Sequence, residues 1–465
     1  MPESAARTFH RLGTTEAPTD TRRLFGTAVV LGGSIAGLLA ARVLADHAER
    51  VVVVERDEIT GSPAPRPGVP QSAQVHTLLP GGRRQLDRWF DGFSHEAVAA
   101  GAVLTGPENL RSYYNGRLKV RTPDIDFLSS SRPFLEALVR RRTTSLPNVV
   151  PVRGRALGVD LADGRATGVR YETPEGETVL QDADFVVDAM GRSSRLGDWL
   201  ASAGWQKPEM RRMNIDINYT TARFQRKEST PGVTTALAFW ELDRLPAGLA
   251  PAMCSAIEDD QWTIMFGGFG DDKPGRTPEE FRRICRALPQ AFADAVEGEM
   301  IGEIQPYKQA DSRRRDYHLL DRFPARLVGV GDAVAAFNPI YGQGMSSAAL
   351  HASCLSEHLR STPDLSAPAR HFFALQRVVV DAAWQTSATP DLALPHIDGP
   401  YPRGYHLTRW VTTRMIDATV TDVEVSSRFN AVTEMRTHPS TLLTPGVLVR
   451  TLRAGLRDRR TAARS

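Results

Sequence analysis

The sequence predicts an α/β fold: a Rossmann-like parallel sheet with a βαβ opening, interrupted by an antiparallel-sheet domain and completed by a helical C-terminal part. Three features of the 465 residues predict it. Two short apolar runs flank a glycine-rich turn and an Ala/Leu-rich stretch within 27–55. Alternation at period two marks 201–310. Parallel-sheet character then returns at 326–330. A pattern broken and resumed implies a discontinuous domain with a second one inserted. The expected division is a flexible tail at 1–25, the first part of the nucleotide-binding domain at 26–200, and the inserted sheet at 201–310. The second part follows at 311–360, and a helical region at 361–465.

The opening residues are polar and mixed in charge, which predicts a loose tail and no signal peptide. Residues 27–32 read as a buried strand, 35–47 as a helix, and 51–54 as a second strand ending on Glu55 and Arg56. The stretch 27–45 is the most apolar in the chain. Gly32, Gly33, Ser34 and Gly37 interrupt it where a strand would turn into a helix, so it is no membrane span. Gly, Pro and Ser make 60–72 a long loop, and helical patterns follow near 79–90 and 132–145. Asp163-Gly164 and Glu175-Gly176 mark turns between short strands, and 184–190 is another buried strand. In the middle region 214–219, 235–240 and 262–266 alternate as strands of a sheet with one covered face.

Composition narrows the function classes. Lys and Arg total 57 against 54 Asp and Glu, too even for a dedicated nucleic-acid binder. Cys254, Cys285 and Cys354 lie far apart, which argues against a disulfide framework and a structural metal site alike. A soluble cytoplasmic protein is expected.

Two constellations carry chemistry. The first is Gly32-Gly-Ser-Ile-Ala-Gly37 between strand and helix, with Glu55 at the end of the next strand. A dinucleotide site needs a tight turn, close backbone approach to a pyrophosphate and a helix N-terminus facing negative charge. Glu55 stands where a carboxylate would accept ribose hydroxyls. Ser34 occupies the place of the second fingerprint glycine, with Gly33 beside it. The second constellation is Gly331-Asp332 followed by Asn338-Pro339-Ile-Tyr341-Gly342-Gln-Gly344-Met345.

This second motif resembles the flavin motif of FAD-dependent monooxygenases, G-D-x-x-x-x-x-x-P-x-x-G-x-G. The resemblance covers most of 27–350 and is closest to the squalene-epoxidase-like branch with its bacterial polyether epoxidases. It implies FAD as cofactor, with Asp332 on a ribityl hydroxyl and the helix after Gly342 opening toward the flavin pyrimidine edge. Asp188-Ala-Met-Gly191 resembles the family segment near the diphosphate, and Ser131-Arg132 the helix start that brings a polar residue there. The cofactor-binding set so implied is Gly32, Ser34, Gly37, Glu55, Arg56, Arg132, Asp332, Pro339, Gly342, Gly344 and Met345, with Arg195 a weaker member. Two departures stand out: Ala335 replaces a histidine common in the wider family, and Ala73-Gln74 replaces Arg-His in the loop from Arg66 to His76.

The function implied is that of an FAD-dependent monooxygenase using NADPH or NADH and O2, through a flavin C4a-hydroperoxide. It would epoxidise or hydroxylate a hydrophobic polyketide or terpenoid intermediate. No catalytic side chain is assigned, because the flavin bears the chemistry; His76 is the candidate for a role near it. Trp240, Trp262 and Tyr341 are candidates for the substrate pocket, against the alternative that the tryptophans are sheet core. A separate flavin reductase is an alternative electron source. A flavin-dependent reductase or dehydrogenase, and a non-redox cyclase keeping FAD as scaffold, are the rival readings. A halogenase is disfavoured because no W-x-W-x-I-P run occurs.

Overall fold

The computed structural model describes residues 3–58, 63–227, 232–241 and 248–462, with side chains as far as Gly455. Residues 60–62 of the expected long loop therefore lie outside the described residues. The valine-rich runs form a five-stranded parallel sheet ordered 327–329, 185–188, 25–31, 48–55 and 149–153. Helix Ile35–Ala45 joins the strands Phe25–Leu31 and Ala48–Glu55, which is the expected βαβ opening. Three loops leave the sheet at its carboxyl edge: Gly32 after the first strand, Ala189 after Asp188 and Gly331 after the last. Open α/β sheets bind ligands at that edge, where the strand order reverses.

The second sheet has eight strands, ordered 335–336, 300–315, 210–225, 261–269, 251–257, 235–239, 110–114 and 117–118. All its pairings are antiparallel except that of 235–239 with 110–114. It is wider than the 201–310 segment expected of it, because 110–118 and 335–336 join its two edges. Strand alternation decides what its faces bury. Trp262, Ile264 and Phe266 point to one face, against Phe281 and Phe292 of the helices Pro278–Ala287 and Gln290–Ala295. Met265 and Phe269 point to the other.

The tail expected at 1–25 differs from the structure. Residues Ala5–Thr14 form a helix capped by the Ser4 side chain, with Phe9 and Leu12 each 1% exposed in the main core. Two apolar side chains three positions apart fall on one helix face, and that face docks. The C-terminal region is helical as expected, in Gln343–Arg360, Arg370–Asp391, Tyr405–Ala418, Val423–Thr433 and Pro445–Ala462. No helix among the described residues is long and apolar enough to cross a membrane. No cluster of metal-ligating side chains occurs among them.

Candidate functional site

The glycine turn is built around one carboxylate outside it. Gly32 has φ +106, and a Cβ there would come 2.5 Å from the Ala189 carbonyl oxygen. Glycine is thus demanded by conformation and by proximity. Ser34 supplies more than turn geometry. Its hydroxyl donates to Glu136 Oε2 at 2.7 Å and accepts from Arg132 Nη2 at 2.8 Å. Glu136 sits on the helix Arg132–Thr144, which Ser131 caps through the Phe134 N–H. Arg66 and Arg140 also reach Glu136, at 2.7 and 2.6 Å. Desolvation works to raise the Glu136 pKa, but the guanidiniums of Arg132 and Arg66 and the Ser34 hydroxyl outweigh it and bring it to about 2.

Glu55 lies where the sequence places it, at the end of the second strand and on the cavity wall. Its Oε2 accepts the Gly33 N–H at 2.7 Å, and its Oε1 the Asp57 N–H at 3.0 Å. A Cβ on Gly33 would stand 3.0 Å from the Glu55 side chain, so Gly33 supplies the close approach expected of a fingerprint glycine. Gly37 has a different role from that expected. It does not line the cavity; a Cβ there would collide with the Gly32 carbonyl, so it seats the helix on the turn.

The second motif faces the first. Asp332 lines the same cavity as Gly32, Ser34 and Arg132. Burial pushes its carboxyl pKa up, with Arg192 and Arg132 opposing. Its carboxylate takes no hydrogen bond or ion pair from the described residues. Gly344 leaves room beside it: a Cβ there would lie 4.0 Å from Asp332 Oδ1. Gly342, with φ +67, opens the helix Gln343–Arg360. Pro339, Gly342, Gly344 and Met345 all line the cavity, as do Arg56 and Arg195.

These residues fit FAD. The glycine turns leave backbone open at a helix start, and Arg132 keeps a buried Nε without a partner among the described residues. Asp332 offers a carboxylate that hydroxyls would satisfy. Asp332→Ala is expected to yield purified protein with much less bound flavin, read as the ratio of flavin to protein absorbance. A fully saturated variant would refute the ribityl role.

The cavity, about 2210 Å³, continues from these turns along the inner face of the large sheet. Tyr219, Leu237, Met253 and Met265 wall it. Trp240 and Tyr341 line it, Trp240 also packing against the core on the far face of the sheet. Trp262 does not line it: it is 1% exposed on the opposite face of the sheet, because residue 262 has the parity of the core-facing positions. His76 lines the cavity with its Nδ1 donating to the Gln74 carbonyl at 2.8 Å. Burial and the nearby Arg132 lower its pKa to about 4, so it is neutral at pH 7. Gln74 fastens this loop to the sheet. Its Oε1 accepts from Thr221 Oγ1 at 2.7 Å, and its Nε2 donates to the Gln305 carbonyl at 3.3 Å.

Some site residues carried no sequence signal. Asp391 ends the helix Arg370–Asp391 and is 2% exposed. Its Oδ1 accepts from Tyr341 Oη and Asn338 Nδ2, each at 2.9 Å. Burial pushes its pKa up to about 7. It lies 50 positions from Tyr341 in no motif, so only the fold brings the two together. Arg66 and Glu136 fall inside motif segments, but their pairing across 70 positions is equally tertiary.

No family model matches the chain. The chain is 32% identical over 460 residues to protein Rv3254 of Mycobacterium tuberculosis, covering 93% of this chain and 95% of that one. It is 22% identical to the putative FAD-dependent oxidoreductase LodB of Marinomonas mediterranea, over 69% of this chain and 81% of that one. Among solved structures it is similar to the flavin-dependent brominase Bmp2, with TM-score 0.64, 15% identity, and 95% and 100% of the two chains covered. It is also similar to p-nitrophenol 4-monooxygenase PnpA of Pseudomonas putida DLL-E4, with TM-score 0.61, 19% identity, and coverage of 90% and 99%. The Diels-Alderase PyrE3 gives TM-score 0.57 at 17% identity, with coverage of 88% and 80%.

Proposed function

The chain belongs to the family of the mycobacterial protein Rv3254 and has the fold of the FAD-dependent monooxygenases, and from these premises we propose that it is an FAD-dependent monooxygenase acting on a hydrophobic small molecule. One observation carries the proposal: a single cavity joins Gly32, Arg132 and Asp332 to the apolar face of the large sheet. In this reading 26–200 and 311–360 hold FAD, and the large sheet covers the substrate. When bound, FAD would supply the redox chemistry of a monooxygenase, with NADPH or NADH as the two-electron source, one atom of O2 going to the substrate and the other to water.

The protein's part is binding, orientation and dryness. Arg132, whose Nε has no partner among the described residues, would hold the diphosphate, and Glu55 the adenosine ribose. Tyr219, Met253 and Met265 hold an apolar substrate against the motif at 338–345 and exclude water. Epoxidation of a polyketide or terpenoid alkene is preferred over ring hydroxylation, because the wall is apolar.

A second reading has its own support. Where relatives carry Arg-His, Gln74 is neutral and tied to the sheet, and one neighbour of similar fold is a Diels-Alderase by name. FAD retained as scaffold for a non-redox cyclisation fits these two observations. Anaerobic titration with NADPH or NADH followed by oxygen separates the readings. Bleaching of the flavin and rapid reoxidation on admitting O2 are expected. Flavin that never bleaches, with a flavin reductase supplied as well, would favour the scaffold reading.

A further inference from the structure

We propose that the cavity receives an elongated hydrophobic carboxylic acid, and that the Lys119 ammonium at the far edge of the large sheet binds its carboxylate. The inference rests on the reading of this cavity as the substrate site. Lys119 follows the edge strand Arg117–Leu118, the last in a strand order that begins with Ala335–Ala336 beside the Asp332 motif. Seven spacings separate those edges, which at about 4.8 Å each makes roughly 34 Å along the sheet. Between them the wall is apolar and aromatic: Tyr219, Met265, Met253, Leu237 and Leu110. A substrate filling that length would have its reacting part at one end and its terminus at Lys119.

Lys119 is one of only five lysines in a chain that otherwise uses arginine for positive charge. Its Nζ stands 5.8 Å from the Phe429 ring centroid and takes no hydrogen bond or ion pair from the described residues. Glu434 is the carboxylate that acts on it, but Arg436 Nε already holds Glu434 at 2.8 Å. Those three groups leave one positive charge in excess. The neighbouring arginines are engaged elsewhere: Arg111 donates to the Glu108 and Leu110 carbonyls, and Arg121 pairs with Glu108. Burial lowers the Lys119 pKa to about 8, with Glu434 opposing, so the ammonium is still charged at neutral pH. A partly buried cation on a cavity wall without a counter-ion has lost part of its hydration, and a ring face offsets only part of that cost. A substrate carboxylate would complete the set; an ester or alcohol of the same length would not.

The test is a fluorescence titration of the FAD-loaded protein with cis-parinaric acid and with its methyl ester. The acid is expected to bind at least ~10-fold more tightly, a difference of about 1.4 kcal/mol. Lys119→Met should bring the acid to the affinity of the ester, and Lys119→Arg should keep the preference. Equal affinities in the wild type, binding of neither ligand, or a preference that survives in Lys119→Met would each overturn the inference. The wild-type comparison stands even if Lys119→Met does not fold. Nicotinamide-dependent oxygen uptake, followed in the same preparations, reports on the monooxygenase reading separately, since the acid preference needs no turnover.

Discussion

Glu136→Ala is expected to destabilise the protein by about 3–5 kcal/mol, the usual cost of removing one partner from a buried ion pair. Its carboxylate is 5% exposed and is shared by Arg66, Arg132 and Arg140 and by the Ser34 hydroxyl. Removal would leave these guanidiniums close together with too little negative charge. Arg66 would retain Asp57 and Glu55, but Arg132 and Arg140 have no other carboxylate among the described residues. At roughly 2.1 cal/mol/K per residue, one cooperative unit of this length would lose about 3–5 °C in Tm. If the diphosphate binds at Arg132 as proposed, it would offer a replacement anion, and the loss should be larger without FAD than with it. Scanning calorimetry with and without added FAD checks both parts. A variant that melts within 1 °C of wild type, by the same roughly 2.1 cal/mol/K per residue, would show that the network is dispensable.

The same carboxylate sets an acid limit. Its folded pKa of about 2 lies below the ordinary value of 4.5, so its contribution is full above pH ~4.5 and fades as pH falls toward 2. That shift corresponds to about 3 kcal/mol, in line with the mutational figure. Wild-type stability should therefore drop across that window. The drop should be shallower in Glu136→Ala, which has no such group to protonate.

How much of this was legible in the sequence depends on the range of each interaction. The βαβ opening, the turn at Asp163-Gly164 and the helix after Arg132 arise from local patterns, and they stand where those patterns put them. Asp332, Gly342 and Gly344 stand out in the sequence by residue type at fixed spacing, and the fold brings all three to one cavity wall. The docked N-terminal helix was not, because its apolar face is only Phe9 and Leu12 among polar neighbours. The bond from Tyr341 to Asp391 and the Arg66–Glu136 pair depend on separate elements meeting in space. Trp262 shows the limit of composition: three tryptophans in the middle region look alike, and only strand parity decides that 262 faces the core. Ser34 reads as a defect in the glycine fingerprint until Glu136 and Arg132 are beside it.

Gly37→Ala is expected to weaken flavin binding strongly, although it adds one methyl group outside the cavity. Gly37 is helical and buried, so no φ constraint requires glycine there; space alone does. A Cβ would overlap the Gly32 carbonyl oxygen and come 3.2 Å from the Ala189 Cβ. Both obstacles belong to short backbone segments at the carboxyl edge of the sheet and cannot swing aside as a flexible side chain would. The Gly32 N–H is itself fixed to the Val54 carbonyl at 2.8 Å, so the turn cannot retreat without breaking the sheet edge. The helix Ile35–Ala45 must lift instead, and its N-terminus would leave the place where a pyrophosphate meets it. Overpacking of this kind costs roughly 1–3 kcal/mol or more. If that cost falls entirely on the bound conformation, FAD affinity drops by about 5- to 160-fold or beyond. Gly13→Ala is the control. It too is a helical glycine, but a Cβ there meets nothing within 4 Å, so it should be neutral or slightly stabilising. Flavin content after purification and the FAD-induced rise in Tm distinguish the two variants. A Gly37→Ala protein that retains full flavin would mean that the helix can shift without disturbing the turn, and that the turn is not what binds the cofactor.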